Sequence, residues 1–191
     1  NNKIGFIEPQ AFSGLASLQH LDLTGNRLPE LEDIMMRYPS TMRTMFFDHN
    51  RITSFHPETF SGQTTLEVLS LSDNKLERVA ANAFVELIYL FRLNLARNKL
   101  TDIEDNALSG LHQVRFLDLS DNRLGKLTNG TLQGLQQAEG LDLSSNRIAY
   151  IQPEAFSGLH HLKTLDLSHN KIRIIKSGAF RGLLTLHTLG P

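Results

Sequence analysis

The sequence predicts an α/β solenoid, a parallel sheet of short strands whose return segments stack behind it. Two observations predict it. Asparagines stand at Asn2, Asn26, Asn50, Asn74, Asn98, Asn122, Asn146 and Asn170, each 24 residues after the one before. Around them one string keeps returning, as in LQHLDLTGNRL from Leu18, LFRLNLARNKL from Leu90 and VRFLDLSDNRL from Val114. A fixed period of this length marks stacked units, each too small to bury its apolar face alone. Residues 1–191 read as one array of about eight such units.

The strand comes first in each unit. The x-L-x-L-x segment, such as His20 to Thr24, alternates apolar and polar residues, so one face is buried and the other exposed. The buried columns are Leu21, Met45, Leu69, Leu93, Leu117, Leu141, Leu165 and Leu23, Phe47, Leu71, Leu95, Leu119, Leu143, Leu167. Successive strands run parallel, because each unit must travel back before the next begins. The return segments supply two further apolar sets. One contains Ile7, Leu31, Phe55, Val79, Ile103, Leu127, Ile151 and Ile175. The other contains Phe12, Met36, Phe60, Phe84, Leu108, Leu132, Phe156 and Phe180. The recurring asparagine sits where the chain leaves the strand and its backbone groups lose their sheet partners. A side-chain amide both donates and accepts, so it can satisfy its own turn and the neighbouring one. Stacked copies are expected to form a structural asparagine ladder.

The string L-x-x-L-x-L-x-x-N-x-L is the leucine-rich-repeat signature. The 24-residue unit resembles the "typical" class of that family, found in Toll-type receptors, Slit-like and chaoptin-like ectodomains and small proteoglycans. The return halves IEPQAFSGL from Ile7, IQPEAFSGL from Ile151 and IKSGAFRGL from Ile175 carry this resemblance. It implies a horseshoe with the sheet on its concave face and irregular or short helical or 3-10 segments on its convex face. Two units depart from the pattern: one has Met36 and Pro39 at family Phe and Leu positions, and the next has Gln63 at the Leu position. In the first, LEDIMMRY fits a longer helical turn. Terminal caps of this family usually carry cysteine pairs, and the chain has no cysteine. The expectation is a fragment of a longer secreted or membrane-anchored protein, with its caps missing.

Composition narrows the function. The formal net charge is −1 and the pI near 6.8, a balance that calls for neither nucleic acid nor an anionic membrane as partner. No apolar run reaches the roughly 18 residues of a transmembrane helix. There is no nucleophile elbow, no phosphate-cradling glycine loop and no His-Glu-x-x-His, so no enzyme, metal or cofactor is expected.

A binding role then rests on the exposed columns of the sheet. One reads His20, Thr44, Val68, Arg92, Phe116, Gly140, Thr164, Thr188, and the next Asp22, Phe46, Ser70, Asn94, Asp118, Asp142, Asp166, Gly190. Phe46, Val68 and Phe116 are apolar where polar filler is expected, with Arg92 and Asn94 among them, and aromatic residues and arginine are the types enriched at interface hot spots. Asp118, Asp142 and Asp166 form an acidic strip that favours a cationic neighbour. These eight residues are the candidate ligand-binding set. Asn129-Gly130-Thr131 is a glycosylation sequon on a return segment. The expected function is protein recognition by an extracellular or cell-surface receptor, through a protein ligand or co-receptor, with homo- or heterodimers open. The alternatives are a cell-adhesion or matrix scaffold and a cytosolic adaptor.

Overall fold

In the computed structural model, residues 2–8, 11, 12, 14–31 and 41–190 are described. Eight three-residue strands form one parallel sheet: β1 (His20–Asp22), β2 (Thr44–Phe46), β3 (Val68–Ser70), β5 (Arg92–Asn94), β7 (Phe116–Asp118), β9 (Gly140–Asp142), β11 (Thr164–Asp166) and β12 (Thr188–Gly190). Their order in the sheet is their order in the chain. The register advances by one unit at each step: Leu21 faces Met45, Leu69 faces Leu93, and Leu141 faces Leu165. The strands are shorter than the five residues that alternate in the sequence. Parallel bonding nevertheless continues beyond them, as in the Leu23 N–H to the Phe46 carbonyl at 2.8 Å and the Leu95 N–H to the Asp118 carbonyl at 2.8 Å.

The return segments are turns, with four two-residue strands and no helix among the described residues. β4 (Arg78–Val79) pairs with β6 (Asp102–Ile103), and β8 (Lys126–Leu127) with β10 (Tyr150–Ile151). The irregular form is therefore the one adopted. The helical reading of LEDIMMRY falls on residues 32–38, outside the described residues apart from Leu31, which is bridged to Phe55.

The core is continuous. Leu69, Leu93, Leu117 and Leu141 from the sheet and Val79, Ile103, Leu127 and Ile151 from the returns are all buried in it. Behind them Phe60, Phe84, Leu108, Leu132 and Phe156 are buried, with Phe60 and Phe84 ring centres 5.9 Å apart. Ile175, in the last layer, is exposed. Gln63 lies buried at the leucine position of its unit, and neither end of its amide finds a hydrogen-bond partner among the described residues.

The turn after each strand has a repeated backbone solution. Gly25, His49, Asp73, Arg97, Asp121, Ser145 and His169 all take positive φ, between 52° and 71°. Six of the seven are not glycine, and this region is disfavoured for a residue with a Cβ. The bend brings the following asparagine back under the strand. Asn98 Nδ2 donates to the carbonyls of Leu95 at 3.1 Å and Leu71 at 2.9 Å, and its Oδ1 accepts from the Leu76 N–H at 3.0 Å. Asn50, Asn74, Asn122, Asn146 and Asn170 make the same set of contacts one unit apart. Asn26 accepts from the Ile4 N–H, and Asn2 donates its backbone N–H to the Gly25 carbonyl.

Candidate functional site

The solvent-facing side of the sheet carries the candidate residues, and the parallel register sets them in rows. Val68 is beside Arg92, Arg92 beside Phe116, and Asn94 beside Asp118. Phe46 and Val68 are only half-buried on β2 and β3. Phe116 is exposed, and the Arg92 guanidinium lies 5.3 Å from its ring centre. Phe91, one residue before β5, meets Phe116 edge-on at 5.6 Å, and the Arg115 guanidinium lies 5.7 Å from the Phe91 ring centre. Two arginines and two phenylalanines thus interlock across adjacent strands. Cation–π and edge-to-face contacts of this kind hold aromatic rings in a fixed orientation.

Gly140 is the reason the Phe116 ring can lie as it does. A Cβ at this position would come within 3.0 Å of Phe116 Cδ1 and 3.2 Å of Thr164 Oγ1. The ring therefore overlies a strand position with no side chain. From there a groove of about 460 Å³ runs along β5, β7, β9, β11 and β12, with Arg92, Phe116, Asp142 and Asp166 among its lining residues.

The acidic strip has a local task that its spacing did not disclose. Oδ1 of Asp118 accepts from the Ser120 N–H at 3.0 Å, that of Asp142 from the Ser144 N–H at 2.9 Å, and that of Asp166 from the Ser168 N–H at 2.8 Å. Asn94 does the same for the Ala96 N–H. The carboxylates are tethered to the turn after their own strand, two residues on. Hydrogen bonds from the Ser168 hydroxyl and backbone hold the Asp166 carboxyl below its ordinary pKa. At β3 Ser70 occupies this column, and Asp48 from the preceding unit accepts from the Ser72 N–H instead, and from the Ser70 and Ser72 hydroxyls. The signal for this was present in the sequence as Asp or Asn two residues before the residue whose N–H it caps.

A second row runs along the rim where each strand begins: Gln19, Arg43, Glu67, Phe91, Arg115, Glu139, Lys163, His187. Arg43 pairs with Glu67, while Glu139 takes both Arg115 at 3.1 Å and Lys163 at 2.6 Å. The Lys163 hydrogen bond, with the charges of Lys163 and Arg115, lowers the Glu139 pKa. Phe91 is the one apolar member of the row. Asn129 is exposed on its return segment, away from both rows, and the Thr131 hydroxyl is 2.8 Å from that of Thr128. Among the described residues no group of three or more His, Asp or Glu side chains is placed to hold a metal ion, and no helix is long and apolar enough to cross a membrane.

Comparison with known proteins agrees with this architecture. A leucine rich repeat family profile matches residues 1–28, 40–100, 64–124, 88–148 and 136–190. The chain belongs to the leucine-rich-repeat family. No curated protein matches it in sequence. Among solved structures, the crystal structure of a TLR13–ssRNA13 complex superposes with a TM-score of 0.88 at 32% identity, covering 95% of this chain and 26% of that one. The likeness supports the Toll-type resemblance. This leucine-rich-repeat chain spans about a quarter of the length of the receptor chain it matches. Its solenoid is a protein-interaction scaffold.

Proposed function

We propose that the chain is the protein-recognition part of an extracellular leucine-rich-repeat receptor, and that it binds a protein ligand on the solvent-facing, concave side of its sheet. The observation that carries this is the interlocked Arg92, Phe116 and Phe91 cluster at the head of the groove. Its rings are oriented before any ligand arrives, so little side-chain entropy is lost on binding. Phe46 and Val68 extend the apolar surface on one side. Asp118, Asp142 and Asp166 offer carboxylate oxygens to a basic segment on the other.

The similar TLR13 structure is a complex with RNA, and Arg and Phe side chains also suit nucleobases. In this chain the aspartate row lines the same groove, and it would repel a phosphate backbone. A protein ligand is therefore the better fit. An adhesion or matrix scaffold is the second reading, since it would use the same face without signalling, and a cytosolic adaptor is the third. Asn129, exposed and in a sequon, suits a secretory location and would keep a glycan clear of the sheet.

The test is capture from cell-surface and secreted protein pools by the parent and by a folded variant carrying Phe46→Ser, Arg92→Glu and Phe116→Ser. A partner held by the parent and lost by the variant is the expected result. Equal capture by both would overturn the sheet-face site.

A further inference from the structure

The return segment that follows β8 departs from its neighbours. Where it has Gly130, other units have Asn82, Asn106, Glu154 and Gly178, and all four take positive φ, between 60° and 77°. Gly130 does not. On either side this position also links one turn to the next. The Asn82 N–H donates to the Asn106 carbonyl at 3.2 Å, and the Glu154 N–H to the Gly178 carbonyl at 3.3 Å. At Gly130 that series is interrupted, and among the described residues its N–H has no acceptor.

The bonds that close this turn are long. The Thr131 N–H reaches the Thr128 carbonyl, and the Gln133 N–H the Gly130 carbonyl, at 3.4 Å each. The equivalent bonds are 2.9 and 3.2 Å in the unit before, and 3.1 and 2.8 Å in the unit after. The Thr131 hydroxyl takes over part of the task, accepting from the Thr128 N–H at 3.0 Å. Asn129 lies between these two threonines and is exposed. The residue after it has no side chain, and a Cβ there would lie 2.2 Å from Asp105 Oδ1.

The backbone nitrogen after an asparagine can attack the side-chain amide when three conditions hold. The amide must be in water, the nitrogen must be free of an acceptor, and no Cβ may shield it. Asn129 and Gly130 meet all three, in the turn whose closing bonds are the weakest of the three units compared.

We propose that Asn129 is a site of spontaneous deamidation in the folded chain, with Gly130 supplying the attacking nitrogen and water as the sole co-reactant. The Gly130 nitrogen bonds to Asn129 Cγ, the Cγ–Nδ2 bond breaks, and ammonia leaves with the Gly130 amide proton. The succinimide ring so formed takes up water at either of its carbonyls and opens to aspartate or isoaspartate. The product puts a new carboxylate in the turn beside exposed Asp105, and isoaspartate also adds a methylene to the backbone. It ends the sequon as well. A glycan on Nδ2 occupies the nitrogen that would leave, so the two modifications exclude each other. The Thr131 hydroxyl is buried and engaged once the turn has formed, so the glycan is added before folding and deamidation acts on chains that missed it.

The test uses the chain made in a bacterial host, where Asn129 carries no glycan. The folded chain is held in mildly alkaline buffer at body temperature, resolved by ion exchange over days, and mapped by peptide mass with aspartyl and isoaspartyl forms separated. An acidic species should accumulate, its amide-to-acid mass gain confined to the peptide that holds Asn129, with both forms present. Exposed Asn106, followed by Ala107, should remain an amide. Asn129→Gln should abolish the acidic species. Gly130→Ala, made together with Asp105→Ala so that the new methyl group has room, should nearly abolish it too, with a thermal midpoint close to that of Asp105→Ala alone. An Asn129 that stays an amide in the folded chain would overturn the proposal. So would conversion of Asn106 at the same rate, or an acidic species that persists at full rate in the Gly130→Ala chain. Ligand capture by the sheet face enters none of these readings.

Discussion

Replacing Gln63 by leucine should stabilise the chain. The side chain is buried, and neither Nε2 nor Oε1 has a hydrogen-bond partner among the described residues. The equivalent positions in the next two units, Leu87 and Leu111, are wholly buried leucines in the core. Each polar group buried without a partner costs about 1–3 kcal/mol relative to its solvated state. Glutamine also loses more rotamer freedom on burial than leucine does. Relieving both ends of the amide while filling a similar volume should therefore stabilise by about 2–4 kcal/mol. For a chain of this length each kcal/mol raises the midpoint by about 2–4 °C, so a shift of about 4–16 °C is expected. The assay is thermal and urea unfolding of parent and variant by circular dichroism, with agreement between the two probes checked because repeat arrays can lose cooperativity. Gln63→Met serves as the companion variant: it removes the amide but keeps an unbranched side chain. Stabilisation by Met alone would assign the limit to the shape of the site. An unchanged or lowered midpoint in both variants would refute the reasoning, because the amide would then be satisfied in solution.

Four further outcomes follow from the same geometry. Asn98→Ala strips partners from the Leu76 N–H and from the Leu71 carbonyl, both in buried backbone, and should destabilise by about 2–5 kcal/mol in urea unfolding, far more than alanine at exposed Asn129. Gly140→Val pushes a side chain into the space over which the Phe116 ring lies, and should weaken capture of a sheet-face ligand about tenfold or more while leaving the thermal midpoint nearly unchanged. Glu86 accepts from the Gly62 N–H and the Ser61 hydroxyl, each at 2.7 Å, and these bonds lower its pKa from 4.5. Its contribution is complete above the unfolded value and is lost as pH falls through the lower folded value, so Glu86→Gln should flatten the acid limb of the stability profile below about pH 4.5. Expression through a secretory pathway should add a glycan to Asn129, seen as a mass increase that Asn129→Gln abolishes.

The sheet was legible because its determinants are local and repeated. Each leucine column follows from alternation within five residues, and the 24-residue period alone sets the neighbours in the sheet. The Phe46, Val68, Arg92 and Phe116 neighbourhood was legible for the same reason, since register in a parallel array is fixed by counting. What escaped were contacts between side chains and backbone at the turn. Asp118, Asp142 and Asp166 read as a charged strip, but each is tied to an N–H two residues on, a geometry that depends on the chain bending after the strand. The positive φ of His49, Asp73 and Arg97 was hidden because only the first unit places a glycine there. Phe91 was visible as an oddity beside Arg92, but its contact with Phe116 depends on which way two rings turn, and that was decided in part by the missing side chain of Gly140.

The asparagine contacts all point one way along the chain. Apart from the bonds inside its own turn, Asn98 reaches only Leu71 and Leu76 of the unit before it, and Asn122 only Leu95 and Leu100. A unit leaving the ribosome therefore finds its asparagine's partners already synthesised and never waits for sequence still to come. The backbone of the same turn reaches the other way, the Arg97 N–H donating to the Ser120 carbonyl of the unit after it, so each turn is closed from both sides.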